Sequence, residues 1–356
     1  MSDSRRFPAA AMLAFAREVF AACGLPDTDA ATVAGALIDA DLVGADAHGI
    51  FRLASYARNL QTGRVNPKAK ITVVQRSPAT ALIDGDNGMG HLVMTRAANL
   101  AVELARASGV GWVGARRSNH AGAAGVYATI PLAQGMVGIY AAVSSANHMA
   151  PWGGSEPLMG TNPIAVAIPA GKEAPVVLDI ATSVASFGTI RTHAITGTPL
   201  PEGWVVDRKT GEPITDAKRV AEGVLLPIGG YKGSGLALMI GLLAGVLNGA
   251  AFGRDVIDFT APGTDECNTG QFMVALDVAR FLPPEIFAAE MDRHLDELRS
   301  SVRLPGVDII RHPGEERRRR KEDRSKNGVL LAAQLIKQLD EMAANLKVKA
   351  LSARVS

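Results

Sequence analysis

The chain contains 356 residues, of which 47% are hydrophobic and 20% are charged, and its formal net charge is +2. This composition is that of an ordinary globular protein, and it excludes disordered chains and strongly basic nucleic-acid-binding proteins. A length above about 250–300 residues predicts two domains, because a single hydrophobic core stops growing near that size.

One dense basic run, residues 317–321, is flanked on both sides by acidic residues, which is typical of a solvated helix face. We therefore expect no nucleic-acid partner. The most apolar stretch, residues 235–251, is interrupted by glycine and asparagine and falls short of the roughly 20 residues that a membrane span needs. We also expect no membrane association.

The two cysteines and the N-terminus bear on the cellular compartment. Cys23 and Cys267 form neither a disulfide framework nor a metal-ligand spacing, which fits a reducing compartment. The N-terminal arginines are not followed by a long apolar core, so we expect no signal peptide. The sequence predicts a cytoplasmic protein without a bound metal.

In chain order, the first third of the sequence combines helical and strand patterns. Apolar residues at helical spacing predict three helices, and a pair of short strands and a fourth helix follow. These are helices 9–23, 28–45 and 53–60, strands 71–74 and 80–84, and helix 92–107. Asp27 or Thr28 can cap the second helix.

Residues 109–114 match the dinucleotide pattern G-x-G-x-x-G. That pattern binds a pyrophosphate only where a strand precedes the glycines and a helix follows them. Here a helix precedes and an apolar strand, residues 112–115, follows. We therefore interpret the match as a glycine-ended helix that leads into a strand, and not as a Rossmann fingerprint.

The middle of the chain consists of short apolar runs with little helix between several of them, which predicts a largely antiparallel sheet. The runs are residues 136–143, 164–168, 175–180 and 272–276. Polar clusters lie where these strands begin or end, namely at residues 118–120, 144–148, 160–163 and 179–183. Helices 284–300 and 329–346 complete the chain.

A glycine-rich turn, residues 226–235, precedes a long apolar helix and contains Lys232 and Gly233. Such a turn can cradle a phosphate at the helix start. It can equally be a loop in which glycine permits close packing. The spacing of a nucleoside-triphosphate P-loop is absent.

The segment Asp46-Ala47-His48-Gly49-Ile50-Phe51-Arg52 places an ionisable ring and a guanidinium close together. Histidine exchanges a proton near neutral pH, and arginine holds a carboxylate by two parallel hydrogen bonds. If the helix continues through Gly49, His48 and Arg52 share one face, as a reaction on a small carboxylic acid requires. The alternative is a helix end with a polar cap and an exposed arginine.

Seven motifs in a fixed order give the chain its resemblance to a known family. They are Gly44-Ala45-Asp46-Ala47-His48-Gly49 with Arg52, Ser118-Asn119-His120, Met149-Ala150-Pro151-Trp152-Gly153, Gly160-Thr161-Asn162-Pro163, Leu178-Asp179-Ile180-Ala181-Thr182-Ser183, Gly229-Gly230-Tyr231-Lys232-Gly233 and Pro313-Gly314-Glu315. Over nearly its whole length, the sequence resembles the malate/L-lactate dehydrogenase family of the non-Rossmann type. That family includes ureidoglycolate dehydrogenase, sulfolactate dehydrogenase, diketogulonate reductase and cyclic imine reductases.

The resemblance implies an α/β (α+β) fold, a nicotinamide cofactor (NAD or NADP) and a homodimer. The implied cofactor domain, residues 133–282, contains a mainly antiparallel seven-stranded sheet. Residues 1–132 and 283–356 together form the implied helical domain for substrate binding and dimerisation.

The resemblance also implies roles for individual residues. His48 matches the histidine that exchanges a proton with the substrate, and His120 matches a histidine that competes for this role. Arg52 matches the ligand of the substrate carboxylate, and Tyr56, Ala47 and Thr161 match positions in the substrate pocket. The implied cofactor contacts are His120, Ser144, Asp179, Ile180, Ala181, Lys232, Gly233, Pro313, Gly314 and Glu315. A structural role is expected for His91, His148, His193, His294 and His312.

Two departures from the family pattern are present. Ala47 replaces the usual serine before the catalytic histidine, and Phe187-Gly188-Thr189 stands where a lysine often follows the glycine. The first bears on substrate identity and the second on cofactor or loop contacts.

We predict reversible hydride transfer between a nicotinamide and a small 2-hydroxy acid or 2-keto acid, of the malate or lactate type. A cyclic imine carboxylate reductase on the same scaffold is the alternative. A non-catalytic family member is a third possibility.

Overall fold

The computed structural model describes residues 4–354 as a mixed α/β fold. The α-helices are α1 (Ala9–Ala22), α2 (Asp27–Leu42), α3 (Leu53–Gln61), α4 (Gly90–Ser108), α5 (Ala124–Ala128), α6 (Phe187–Thr196), α7 (Tyr231–Ala244), α8 (Pro284–Ser300), α9 (Glu315–Asn327) and α10 (Ala333–Asn345). The strands are β1 (Arg5–Phe7), β2 (Thr72–Arg76), β3 (Thr80–Asp84), β4 (Val110–Ser118), β5 (Met136–Ala142), β6 (Ile164–Ile168), β7 (Val176–Ile180), β8 (Val205–Asp207), β9 (Gly223–Leu225), β10 (Thr269–Asp277) and β11 (Val329–Leu331).

The main sheet has seven strands in the order β2-β3-β4-β10-β5-β6-β7. Strands β3 and β4 run parallel, and the other neighbouring pairs run antiparallel. Strand β10 lies at the centre and pairs with β4 on one side and β5 on the other. This topology confirms the predicted mainly antiparallel, non-Rossmann sheet.

Helices cover both faces of the sheet. On one face, Val93 and Met94 of α4 share a core with Val113 of β4 and Met273 of β10. On the other face, α7 packs onto the sheet in a second core with Phe272 and Val274. Because both faces are covered, β10 is apolar and buried over most of its length, as strands of doubly covered sheets are.

A separate hydrophobic core joins the two ends of the chain. Phe15 of α1 and Leu37 of α2 pack in one cluster with Leu339 of α10. Strand β1 pairs with β11 beside this cluster. Strands β2, β3 and β4 precede residue 133, so the sheet also draws on the segment assigned to the helical domain. The division into residues 1–132 with 283–356 and residues 133–282 stays a prediction.

Several predicted element boundaries need correction. Helix α2 ends at Leu42, so the predicted end at residue 45 is wrong. The chain continues through two short 3₁₀ turns, Asp46–His48 and Ile50–Arg52, so the condition that the helix runs through Gly49 is not met. Helix α2 begins without a side-chain cap. Residues 329–331 form β11, and the last helix starts only at Ala333.

Two interpretations of glycine-containing segments can also be compared with the structure. Gly109 ends α4 with φ of 82°, and β4 follows directly, which confirms that residues 109–114 are a glycine-ended helix that leads into a strand. Residues Tyr231–Asn248 are long and apolar enough to cross a membrane by length and composition. Their Ile240 and Ala244 nevertheless pack against the sheet, as in a core helix.

Candidate active site

A cavity of about 930 Å³ lies between the helical core and the sheet, and its wall combines segments from distant parts of the chain. Many residues that the sequence predicted as site residues line it. They are Ala47, His48, Arg52, His120, Ser144, Thr161, Asp179, Ile180 and Ala181. The polar clusters at strand ends therefore do meet at one site, as expected for a sheet edge.

The turn that carries His48 is fixed by a buried carboxyl group. Asp41, 2% exposed, accepts a hydrogen bond from the backbone N–H of Ile50 through Oδ2 at 2.8 Å. Gly49 lies against the same carboxyl group, and a Cβ there would approach Asp41 Oδ1 to 1.9 Å. Glycine is therefore required at position 49 by close approach. The Asp41 carboxyl group thus fixes the tight turn that carries His48.

Arg52 is anchored by its backbone neighbours and by aromatic rings. Its Nε donates a hydrogen bond to the carbonyl oxygen of Ala47 at 2.8 Å. The guanidinium carbon lies 5.4 Å from the ring centroid of Phe259 and 5.5 Å from that of Phe51. Cation–π contacts of this kind favour one orientation of the planar group. Arg52 thus presents a positioned cation at the cavity wall.

The rings of His48 and His120 are nearly parallel, with centroids 5.8 Å apart. Nδ1 of His120 contacts the Tyr56 hydroxyl at 2.6 Å and accepts the backbone N–H of Gly122 at 3.3 Å. The Gly122 N–H favours the neutral His120 tautomer that carries its hydrogen on Nε2, because Nδ1 is then free to accept. Tyr56 is itself buried, and its hydroxyl contact holds the His120 ring in place.

Both histidines are neutral at physiological pH. Burial lowers the pKa of His48 to about 4; the positive charge of Arg52 acts in the same direction, while Asp179 opposes it. Burial also holds the pKa of His120 well below 6.5, and the charge of protonated His48 and the positive charge of Arg52 add to this effect. A neutral imidazole can accept a proton from a substrate hydroxyl group.

Asp179, at the end of β7, is held by two partners. Its Oδ2 accepts the backbone N–H of Gly125 at 3.0 Å and forms an ion pair with Arg317 at 3.2 Å. Arg317 also donates to the carbonyl oxygen of Asp179 at 2.9 Å. The carboxylate and guanidinium therefore give this end of the cavity a fixed polar wall.

Five residues predicted to contact the cofactor do not line this cavity in the described part of the chain. Lys232 is exposed at the start of α7, and Gly233 packs against the carbonyl of Ile228, which favours the close-packing interpretation of the turn. Pro313 and Gly314 lie beside Val177 at the outer edge of β7. Glu315 contacts His312 Nε2 at 3.0 Å. Cofactor contact by these five residues stays a prediction.

Comparison with known proteins identifies the family. The family model described as malate/L-lactate dehydrogenase matches residues 7–340. The chain belongs to the malate/L-lactate dehydrogenase family. The motif resemblance is thereby confirmed, and with it the predicted activity class, an oxidoreductase of small 2-hydroxy acids.

Individual relatives cover most of the chain. It is 37% identical to "Malate dehydrogenase" of Pyrococcus horikoshii over 354 residues, or 97% of each protein. It is 40% identical to "L-sulfolactate dehydrogenase" of Methanocaldococcus jannaschii, covering 91% of this chain and 92% of the relative. A Pseudomonas putida "Delta(1)-pyrroline-2-carboxylate/Delta(1)-piperideine-2-carboxylate reductase" is 32% identical over 95% of this chain and 96% of the relative. The solved structure of the P. horikoshii enzyme superposes with a TM-score of 0.90 at 34% identity, covering 98% of both chains.

Ala47, where this family member departs from the usual serine, has its methyl group facing α6. A Cβ placed on Gly188 would come within 2.6 Å of the Ala47 Cβ. The two departures from the family pattern, at Ala47 and around Gly188, are thus in contact with each other. Small residues at both positions allow the His48 turn and α6 to pack closely.

Several residues of the site were not predicted from the sequence. Arg317 lines the cavity, although its basic run was interpreted as a solvated helix face. His148 and Phe259 also line the cavity. Asp41 lines it as well and holds the His48 turn through its hydrogen bond with Ile50. The loop around Phe259 carries no sequence motif. For Asp41 a signal was available, since a carboxyl group within the apolar helical run before the His48 motif needs a partner.

Proposed function

We propose that this chain is an NAD- or NADP-dependent dehydrogenase that transfers hydride between the nicotinamide and a small 2-hydroxy acid of the malate or lactate type. The observation that carries the proposal is the meeting of a positioned guanidinium, Arg52, with two neutral histidines in one cavity. These are an anion clamp and a proton acceptor, the two groups that oxidation of a hydroxy acid needs from a protein.

The cavity fits a cofactor in addition to a small acid. Its volume of about 930 Å³ is near the upper end of the roughly 300–1,000 Å³ that small-molecule sites span. We assign Ser144 and residues 179–181 to the cofactor, because hydroxyl, carboxylate and backbone groups at strand ends suit ribose and amide groups. When bound, the nicotinamide supplies the hydride chemistry.

Arg52 binds the substrate carboxylate in this proposal. Arginine can offer two parallel N–H donors to a carboxylate, and the contacts of Arg52 with the Phe51 and Phe259 rings limit the orientations of its guanidinium. A carboxylate held in this way has its neighbouring carbon at a fixed position beside the histidines. Positioning of this type contributes strongly to rate, because orientation is settled before the reaction.

His48 takes the proton of the substrate hydroxyl in oxidation and returns it in reduction. It is neutral at pH 7, as a general base must be. His120 is less suited to accept a proton, since its Nδ1 already contacts the Tyr56 hydroxyl and the Gly122 N–H, which favours a hydrogen on Nε2. We assign His120, supported by Tyr56, to donate a hydrogen bond to substrate or cofactor.

The alternative is reduction of a cyclic imine carboxylate. It draws support from the pyrroline-carboxylate and piperideine-carboxylate reductase among the relatives. The same groups suffice, because an imine carboxylate also needs a cation for its carboxylate and a proton for its nitrogen.

We propose that the protein is a homodimer and that the outer face of α7 is its contact surface. Several large apolar side chains of this helix and the following turn point to solvent: Leu238 is 39%, Met239 50%, Val246 57% and Leu247 63% exposed. Exposed apolar patches of this kind mark interaction surfaces, and a second copy of this chain is the partner we propose. Light scattering should give a dimer mass, and a monomer at micromolar concentration would contradict the dimer.

We also propose that the protein is cytoplasmic.

A panel of 2-keto acids and cyclic imine carboxylates, assayed with reduced NAD and reduced NADP, tests the function. We expect loss of nicotinamide absorbance with at least one 2-keto acid. Turnover of imines alone would establish the alternative. Cofactor binding, seen as a change in nicotinamide fluorescence, without turnover of any compound would mean that the family member is not catalytic.

A further inference from the structure

Phe259 lies between the two groups that the proposed function places on the substrate. Its ring stacks on the His120 imidazole with centroids 4.4 Å apart and planes 3° apart. The guanidinium carbon of Arg52 lies 5.4 Å from the same ring. The ring of Tyr56, whose hydroxyl contacts His120 Nδ1, also stacks on Phe259, with centroids 6.1 Å apart. Phe259 therefore packs against the carboxylate clamp and the imidazole at once, while it also lines the cavity.

The loop that carries Phe259 is fixed by helix α3 and the turn after it. Asn59 Nδ2 donates to the Phe259 carbonyl at 3.0 Å, and Arg58 Nη2 donates to the Thr260 carbonyl at 2.9 Å. Arg64, only 1% exposed, donates to the Ala261 carbonyl at 2.6 Å. Two side chains of α3 and one that follows the helix thus hold three consecutive carbonyl groups.

The loop is also held from the opposite side. The backbone N–H of Phe259 donates to the carbonyl of Ser145 at 3.2 Å, beside the cavity-lining segment after β5. The same helix, α3, directly follows the turn that carries Arg52. The Phe259 loop is therefore held both by the helix that follows Arg52 and by the segment after β5, and its ring forms part of the cavity wall.

We propose that Phe259 positions the His120 imidazole and forms the wall that selects the substituent on the reacting carbon of the substrate. The inference rests on the proposed function. In the proposed function, Arg52 fixes the substrate carboxylate and the histidines face the hydroxyl or keto oxygen of the substrate. Phe259 contacts both Arg52 and His120, so its ring faces the third group on the reacting carbon, the side-chain substituent of the acid. A flat, rigid, apolar ring leaves little room there, and it selects acids with a small substituent.

The test compares Phe259→Leu with Phe272→Leu. Phe272 is a matched control, because it is also buried and ring-stacked, on Trp112 with centroids 4.5 Å apart, but it lies outside the cavity lining. Specificity constants are measured for a small and a bulky 2-keto acid, with the pH profile of kcat and the melting temperature. In parallel, stabilisation by a small and a bulky saturated carboxylic acid is measured by thermal shift, which needs no turnover.

For Phe259→Leu we expect the ratio of bulky to small specificity constants to rise about tenfold, the usual effect of added space in an apolar pocket. The pH profile of kcat should shift, and Phe259→Tyr, which keeps a flat ring, should restore it. Phe272→Leu should change both acids equally and leave the profile in place.

Equal changes for the two acids and an unshifted profile in Phe259→Leu, as in the control, would overturn the proposal. Absence of turnover in the wild type would instead refute the proposed function. In that case the thermal shifts still decide: a wider acceptance of bulky carboxylates by Phe259→Leu supports the wall, and unchanged selectivity overturns it.

Discussion

Asp41 offers a prediction that follows from burial alone. Burial raises the pKa of its carboxyl group from 3.8 to about 8; the Ile50 amide and Arg324 act against the rise, and Asp46 adds to it. Between these two pH values the folded chain keeps a proton that the unfolded chain has lost. The free energy of unfolding therefore falls as pH rises through this window, by up to about 1.4 kcal/mol per pH unit from this group.

Asp41→Asn has no proton to lose, and its side-chain oxygen can still accept the Ile50 N–H. Relative to wild type, the variant should therefore gain about 1 kcal/mol of stability for each unit between about pH 5 and pH 8. Asp41→Ala, the matched control, also has no proton to lose but leaves the Ile50 N–H unpaired, so it should be less stable than Asp41→Asn by about 1–3 kcal/mol at every pH. Urea unfolding of the three proteins at about pH 5, 6.5 and 8 supplies the free energies. Parallel curves for wild type and Asp41→Asn would refute the reasoning, since they would mean that Asp41 is ionised throughout.

Three further predictions concern the proposed chemistry. His48→Ala should lower kcat by about 10²–10⁴, the usual effect of a lost general base, with cofactor affinity near normal by fluorescence titration; His120→Ala should weaken binding as well, and near-normal turnover in His48→Ala would move the proton transfer to His120. Arg52→Lys keeps the charge but loses the paired donors, so KM for the acid should rise; equal rates with the acid and its amide would disprove the clamp. Ala47→Ser should stay active and should shift the preference toward a polar over an apolar 2-keto acid. We expect a shift of about 1 kcal/mol, the net contribution of one hydrogen bond. The measurement is the ratio of the two specificity constants, and an unchanged ratio would show that residue 47 does not face the substrate.

Local patterns were sufficient to predict most of the sheet. Apolar runs bounded by glycine and proline gave strands β5, β6 and β7 to within about one residue, because strand patterning is a local property. The rejection of a Rossmann fingerprint also depended on local order alone, a helix before the glycines and a strand after them. Strand β11 was missed because its three residues pair with β1 at the other end of the chain.

The errors at the site have a common physical cause, which is contact between residues distant in sequence or packed on another element. The break at Gly49 depends on the Asp41 carboxyl group folding back onto the turn. Arg317 belongs to a helix whose charged residues are otherwise mostly solvated, and only the position of β7 selects it for Asp179. The role of Phe259 exists only because α3 holds its loop against His120.

Deuterium transfer tests the central claim most directly. A reduced nicotinamide cofactor carrying deuterium at the transferable position is incubated with the enzyme and the preferred 2-keto acid, and the product is examined by mass spectrometry and NMR. The account predicts one deuterium on the carbon next to the carboxylate of the resulting 2-hydroxy acid. Oxidation of the cofactor with no deuterium at that carbon would contradict hydride transfer to the substrate.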